Sequence, residues 1–234
     1  MPNGVADGRV GPPDVGRGAQ KGRDVAFEVG HFLLQHFRVG KAILKDVQHR
    51  GDRRLWFVPH DAAGLIALFG SNDAFVSKLK TFFEQGKETF NFYLPGSYYF
   101  HGNEPDMLAS ALFLPAGRPD LADQWTKWIG DANYTVNADG LVGNDDAGTL
   151  SSWYVLAALG LLPQPCAPGY AIVTPRFAKA ELHLQNKSGP TLVTIEPPTA
   201  ELPAGPTPTW HEKPLPARWL DHSELVKGGT LRYP

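Results

Sequence analysis

The sequence predicts a mainly helical region followed by a smaller β region, and three observations carry that prediction. Apolar residues recur at helical spacing from Leu55 to Pro163. Beyond Pro163 the period shortens to two, most cleanly in Ala180-Leu182-Leu184. Between these regimes lies Leu150 to Leu159, apolar nearly all round and closed by Gly160 and Pro163, the pattern of a helix buried in the middle of an α architecture.

The helical part is punctuated in order. Trp56-Phe57-Val58-Pro59-His60-Asp61 leads into a helix over 62–69 that Gly70 ends. Ser71-Asn72-Asp73 offers an N-cap for a second helix, in which Phe75, Leu79, Phe82 and Phe83 share a face before Gly86 stops it. After Pro95-Gly96, Asn103 caps a third helix opening at Glu104-Pro105, since proline is tolerated in a first turn, and running to Pro115. Pro119 opens a fourth, with Leu121, Trp125, Trp128 and Ile129 on one face. Strands are expected over 170–173, 180–184 and 192–195, with a further one over 231–233. The Pro-rich span 197–216 reads as an irregular connection.

Three segments result. Residues 1–54 are atypical, 55–163 helical and 164–234 β-rich. Residues 1–24 lack apolar periodicity and read as disordered, while Val25 to Phe37 has a modest helical pattern interrupted by Gly30. Residues 1–54 hold ten Lys/Arg against six Asp/Glu, a surplus of four positive charges. The chain's net charge is −2, so the remainder carries −6. That change of charge and texture marks a boundary near residue 54, and a segment foreign to the rest of the chain is one explanation of it.

Bulk properties exclude some functions. A net charge of −2 argues against a nucleic-acid surface. No run has the apolar length of a membrane span, and no hydrophobic stretch comes after Met1, so neither a membrane anchor nor an export signal is expected. A single cysteine, Cys166, excludes an internal disulfide and a multi-cysteine metal site.

Chemistry concentrates in two clusters at turns that precede apolar helical runs. The first is His101-Gly102-Asn103-Glu104-Pro105 and the second runs from Gly143 to Trp153 with Asn144, Asp145 and Asp146 at its head. Paired carboxyl groups suit a glycosidase, one serving as acid and the other as base or nucleophile. Oxygen-bearing side chains on turns equally suit a hard cation such as Ca2+. The structural alternatives are a helix N-cap at Asn103-Glu104 and an Asx-turn at Asp145-Asp146.

From Trp56 to Leu231 the chain resembles the C-terminal part of glycoside hydrolase family 92, the Ca2+-dependent inverting α-mannosidases. The resemblance is carried by Trp-Phe-Val-Pro-His-Asp (56–61), Gly-Asn-Glu-Pro (102–105), Asp-Gly-Leu-Val-Gly-Asn-Asp-Asp-Ala-Gly-Thr-Leu-Ser-Ser-Trp-Tyr-Val (139–155), Pro-Arg-Phe (175–177), Trp-Leu-Asp-His (219–222) and Gly-Gly-Thr-Leu (228–231). It implies part of an (α/α)6 barrel followed by a small β region, with the family's N-terminal β-sandwich missing as a partner module. It implies a mannose-containing glycan as substrate, Ca2+ as cofactor and a usually exported enzyme. By motif match Asp146 resembles the general base, with Asp145 beside it a further catalytic candidate. Asn103 and Glu104 resemble calcium-site residues, and Asp61 and Asn144 substrate-binding ones. Asn144 departs from the acidic residue of some members.

The general acid is the larger departure. In the family's pattern it is a Glu within Glu-Gly-x-Ala-Trp-Gln-Tyr, shortly before Trp-Phe-Val-Pro-His-Asp. Gln48 stands at that place, within Gln-His-Arg-Gly-Asp-Arg-Arg (48–54), and glutamine cannot donate a proton as an acid. The sequence therefore supports a mannosidase piece inactive alone, a divergent enzyme with its acid supplied elsewhere, or a carbohydrate-binding or structural remnant.

Overall fold

The computed structural model of the protein describes residues 53–198 and 207–234. The expectations for residues 1–24, for a helix over 25–37 and for Gln48 lie outside the described residues.

The order helical-then-β is observed. A 3-10 turn, Arg53–Trp56, precedes α1 (Ala62–Leu68) and α2 (Asn72–Glu88), the latter capped by Ser71, whose hydroxyl accepts from the Ala74 amide. The short α3 (Glu104–Met107) comes next, then α4 (Pro119–Ala132) and α5 (Thr149–Ala158). Four of the described helices have seven residues or more, too few to close an (α/α)6 barrel by themselves.

Three expectations about the helices need correction. Gly86 does not stop α2, which runs on to Glu88. A Cβ at Gly86 would stand 2.7 Å from Cβ of Tyr99, so this glycine admits a neighbouring chain inside the helix. The third helix breaks after Met107 into a 3-10 turn, Ala109–Phe113. The Met107 carbonyl accepts from the Trp153 indole at 2.9 Å, and the Ala111 amide bonds back to Leu108 instead, at 3.1 Å. Finally, α5 is buried on one face only. Leu150, Trp153 and Ala157 enter the core, but Ser151 and Ser152 are exposed and Val155 is 55% exposed.

The helices share an aromatic-rich core. Phe83 stacks on Trp125 with ring centroids 5.0 Å apart, and Trp56 meets Phe75 edge-on at 5.8 Å. Such pairs add to the burial of large apolar area.

The β region forms two sheets. The first is antiparallel and joins β1 (Leu161–Pro163), β2 (Gly169–Ile172) and β7 (Trp219–Asp221) in that order. The second has order β3-β4-β8-β5-β6, with β3 (Ala180–Asn186), β4 (Gly189–Glu196), β5 (Thr209–Trp210), β6 (Lys213–Pro214) and β8 (Gly229–Arg232). Its β4–β8 pairing is parallel and the others antiparallel. The span 197–216 thus contains a short hairpin rather than only irregular chain, and a one-turn helix, α6 (His222–Leu225), precedes β8. Val193, Ile195, Trp210 and Leu231 form this region's own core. Asp123 of α4 fastens it to the helices, accepting from the buried Arg218 guanidinium at 2.9 Å and from the Thr174 amide at 2.8 Å.

Candidate active site

The fold brings the two sequence clusters together at their leading glycines. Gly143 has φ +74°, and a Cβ placed on it would stand 3.0 Å from Cα of Gly102 and 3.1 Å from its carbonyl oxygen. A Cβ on Gly102 would in turn stand 2.7 Å from the Val142 carbonyl oxygen. Two glycines are needed because the backbones touch, and at Gly143 also because the left-handed region disfavours a side chain.

Behind this contact lies a buried polar chain. His101, fully buried, has Nδ1 2.7 Å from the Tyr99 hydroxyl and Nε2 2.7 Å from the Tyr134 hydroxyl. The Tyr134 hydroxyl donates to the Leu150 carbonyl at 2.9 Å. Burial lowers the His101 pKa to about 3, so the ring is neutral, and burial likewise drives the phenols of Tyr99 and Tyr134 upward. His101 also lies edge-on against Trp153 with ring centroids 4.4 Å apart. One cluster therefore begins at a residue tethered, through Tyr134, to the first turn of the helix that ends the other. Sequence reading placed His101 at the head of its cluster but assigned it no role. The signal available was a histidine directly after the aromatic run Tyr98-Tyr99-Phe100.

The second cluster is a tight turn with successive residues in the left-handed region, Ala147 at φ 58° and Gly148 at φ 83°. For alanine that conformation is strained. The turn is held by Asp145, whose carbonyl accepts from the Gly148 and Thr149 amides, at 2.5 and 2.9 Å. Its carboxylate accepts from the Ser151 amide at 2.9 Å and from the Ser151 hydroxyl at 2.7 Å. Those bonds, the hydroxyl's first, hold the Asp145 carboxyl below its ordinary pKa. Asp145 is thus committed to the start of α5, through Ser151 rather than through the Asx-turn expected at Asp145-Asp146. Asp146 differs. Its carbonyl accepts from the Thr149 hydroxyl at 2.6 Å, but its exposed carboxylate has no partner among the described residues.

The other candidates divide in the same way. Asn103 occupies the N-cap position of α3, yet its side chain makes no capping hydrogen bond, so the carboxamide is available. The buried Asp106 serves the segment before it instead, accepting from the Phe100 amide at 3.1 Å. Glu104 is exposed at the first position of α3. Asp61 folds back on α1 and accepts from the Gly64 amide at 2.8 Å. A Cβ on Gly64 would come within 2.6 Å of the Asp61 carboxyl carbon, so glycine there makes room for the cap. Among the described residues, no three His, Cys, Asp or Glu side chains gather closely enough to hold a metal ion.

Beside the acidic turn is an open cavity of about 370 Å³ lined by Phe92, Tyr93, Asp139, Leu141 and Asn144. Sequence reading assigned no role to Tyr93 or Asp139.

Comparison with known proteins places the chain in a family. A family model described as the glycosyl hydrolase family 92 catalytic domain matches residues 48–234, beginning close to the change of texture near residue 54. An uncharacterized secreted glycosidase of the fungus Arthroderma benhamiae is 31% identical over 179 residues, which cover 75% of this chain and 22% of that protein. The structure of a family GH92 inverting mannosidase from Bacteroides thetaiotaomicron superimposes with a TM-score of 0.61 at 28% identity, covering 76% of this chain and 26% of the other. A family GH92 alpha-mannosidase of the same organism gives a TM-score of 0.62 over 77% of this chain and 24% of its own, and at 24% identity that likeness is one of fold. The chain spans about a fifth to a quarter of these relatives. With the matched model extending over most of its length, the chain belongs to glycosyl hydrolase family 92.

Proposed function

We propose that the protein is a catalytic-domain portion of an α-mannosidase that hydrolyses α-mannosidic linkages of glycans with inversion, and that Asp146 is its general base. One observation carries the reading. The Gly102–Gly143 contact joins the two turns that bear Glu104 and Asp146, and these are the carboxylates left without a structural task. Inversion needs a carboxylate that takes a proton from water on the face of the sugar opposite the leaving group. An exposed, unpaired aspartate beside a rigid turn meets that need, while Asp145 serves as its support. The described helices are read as part of the (α/α)6 barrel of the family.

Ca2+ is the proposed cofactor. It takes six to eight oxygens, including carbonyls and waters as well as carboxylates. The side-chain oxygens of Asn103 and Glu104 suit it in kind and fit as a partial shell, since the described residues assemble no set of three acidic or imidazole ligands. The ion, when bound, would clamp sugar hydroxyls and favour a distorted ring. Asn144 and, less directly, Asp61 are proposed to face the substrate. An N-terminal β-sandwich module would complete the enzyme, and export is proposed because the fungal relative is described as secreted.

A second reading, a glycan-binding remnant without turnover, is favoured by Gln48 in the place of the acid. General acid catalysis contributes on the order of 10²–10⁴-fold, so natural mannosides should be hydrolysed negligibly by this chain. A dinitrophenyl α-mannoside, whose leaving group needs little protonation, separates the two readings. Slow turnover that releases β-mannose first and is lost in Asp146→Asn supports the enzyme. Mannose binding with no such turnover supports the remnant. Ca2+ should raise the thermal midpoint, and Glu104→Ala should remove that gain. A chain indifferent to both Ca2+ and EDTA would remove the metal from the proposal.

A further inference from the structure

We infer that the open edge of the second sheet is a dimer interface, at which β3 pairs antiparallel with β3 of a second copy of this chain about a two-fold axis at Leu184. The inference goes beyond the proposed function and does not rest on it. Strand β3 has seven residues and pairs on one side only, with β4, from Ala180↔Ile195 to Asn186↔Gly189. Its outward-facing amides and carbonyls have no backbone partner among the described residues. A long open edge is a template for another strand unless something blunts it. Strand β3 contains no proline or glycine, and its register with β4 is unbroken by a bulge.

The edge is held ready and has an apolar groove beside it. The Asn186 carboxamide donates to the Val226 carbonyl at 2.7 Å and the Thr191 hydroxyl to the same carbonyl at 3.0 Å, which pins the β3–β4 hairpin to the end of α6. A cavity of about 620 Å³ opens among Leu182 and Leu184 of β3 and Leu156, Leu159, Tyr170 and Leu225. Leu156, Leu159, Leu182 and Leu184 are each only half-buried, so covering them is favourable. The lining contains Lys187 and no Asp or Glu, and Lys187 has no ion pair among the described residues. The occupant that fits is therefore an extended strand with apolar residues at alternate positions and an acid placed to meet Lys187.

Strand β3 meets that description itself. Ala180, Leu182 and Leu184 alternate with Glu181, His183 and Gln185. In antiparallel pairing centred on Leu184, Leu184 faces Leu184 of the second copy, Leu182 faces Asn186 and Glu181 faces Lys187. Symmetry then forms the Glu181–Lys187 pair twice. Centring on His183 would set Lys179 against Lys187, and like charges directly opposite disfavour that register. Within one copy Glu181 is held by Lys179 at 2.6 Å, but this pair is exposed and such pairs contribute little, so it does not bar the new one. Seven paired residues and a covered groove make a smaller interface than that of an obligate dimer, so association should depend on concentration.

Sedimentation velocity and amide hydrogen exchange, measured on the full chain over a range of concentrations, test the inference. A monomer–dimer equilibrium is expected, with amides of Ala180–Asn186 gaining protection as the dimer forms. Lys187→Glu and Glu181→Lys should each weaken dimerisation about tenfold, because two exposed ion pairs turn to repulsion. The double variant restores opposite charges across the axis and should recover the dimer. Leu184→Asp should abolish it by setting two carboxylates face to face. Should Leu184→Asp fail to fold, the charge reversals at exposed positions still decide. A monomer at every concentration overturns the inference, as does a dimer indifferent to both reversals or a double variant no better than the single ones. A monomer that binds anilinonaphthalene sulfonate in wild type and not in Leu184→Asp also overturns it, and assigns the cavity to a small apolar ligand.

Discussion

The Nε2–H of His101 donates to the Tyr134 hydroxyl across 2.7 Å, and that hydroxyl gives its own proton to the Leu150 carbonyl at 2.9 Å. These bonds fix the tautomer. Tyr134 has one proton and donates it to Leu150, so it accepts from His101, and Nδ1 must accept from Tyr99. Tyr134→Phe leaves a buried imidazole N–H without its partner, at about 1–3 kcal/mol, and takes from the Leu150 carbonyl the acceptance it makes beyond its helix. Urea denaturation should show a clear loss of stability. Tyr154→Phe, which removes no hydrogen bond among the described residues, should stay within about 0.5 kcal/mol of wild type.

His101 also gives the protein a particular pH dependence. Its folded pKa is lowered to about 3 by burial, below the ordinary histidine value of 6.5. Between those values the unfolded chain binds a proton that the folded chain refuses. Stability therefore rises with pH across that window and gains nothing more from this group above it. The lowered carboxyl of Asp145 works in the same direction but further down: its contribution is present above the ordinary carboxyl value and lost as pH falls below it. Between about pH 5 and 6.5 the slope should belong to His101, at most about 1.4 kcal/mol per pH unit. Denaturation midpoints measured across that interval should flatten in His101→Gln. A slope that survives the substitution would assign it to another group.

Gly143→Ala tests the contact between the clusters. Gly117 has a similar φ, +76°, with no heavy atom near a Cβ placed there, so Gly117→Ala meets only the backbone cost of about 1–2 kcal/mol. Gly143→Ala adds the clash with Gly102 and should cost at least about 1 kcal/mol more. It should also abolish any slow aryl mannoside turnover, since the turn bearing Asp146 must shift. Equal losses in the two variants would mean that the contact is slack.

The helical part was legible because its periods, caps and glycine stops are local, and the departures came from contacts distant in sequence. Gly86 looked like a terminator until Tyr99 packed against it, and Met107 lost its helical partner to Trp153. Strands β5, β6 and β7 have two or three residues each, too short to display a period. At the site, the acids and glycines could be found by their residue types. Motif match set Asp146 apart as the candidate base, but which of the two adjacent and chemically alike aspartates carries a structural load was not legible, because it depends on where Ser151 comes to lie.

That division yields the sharpest test. Asp145 holds the first turn of α5 through two bonds to Ser151, so Asp145→Ala should lower the thermal midpoint in the manner of a lost helix cap. Ser151→Ala should reproduce only part of that loss, because the backbone amide bond remains. Asp146→Asn removes no side-chain bond among the described residues and should leave the midpoint where it was. Its effect should appear in catalysis, where loss of a general base costs on the order of 10²–10⁴-fold in the turnover of an activated aryl mannoside. Asp145→Asn should weaken both properties together, since a less firmly held turn presents Asp146 less well. If Asp146→Asn instead destabilised the fold while leaving turnover intact, the two aspartates would have to exchange roles, and Asp145 would become the candidate base.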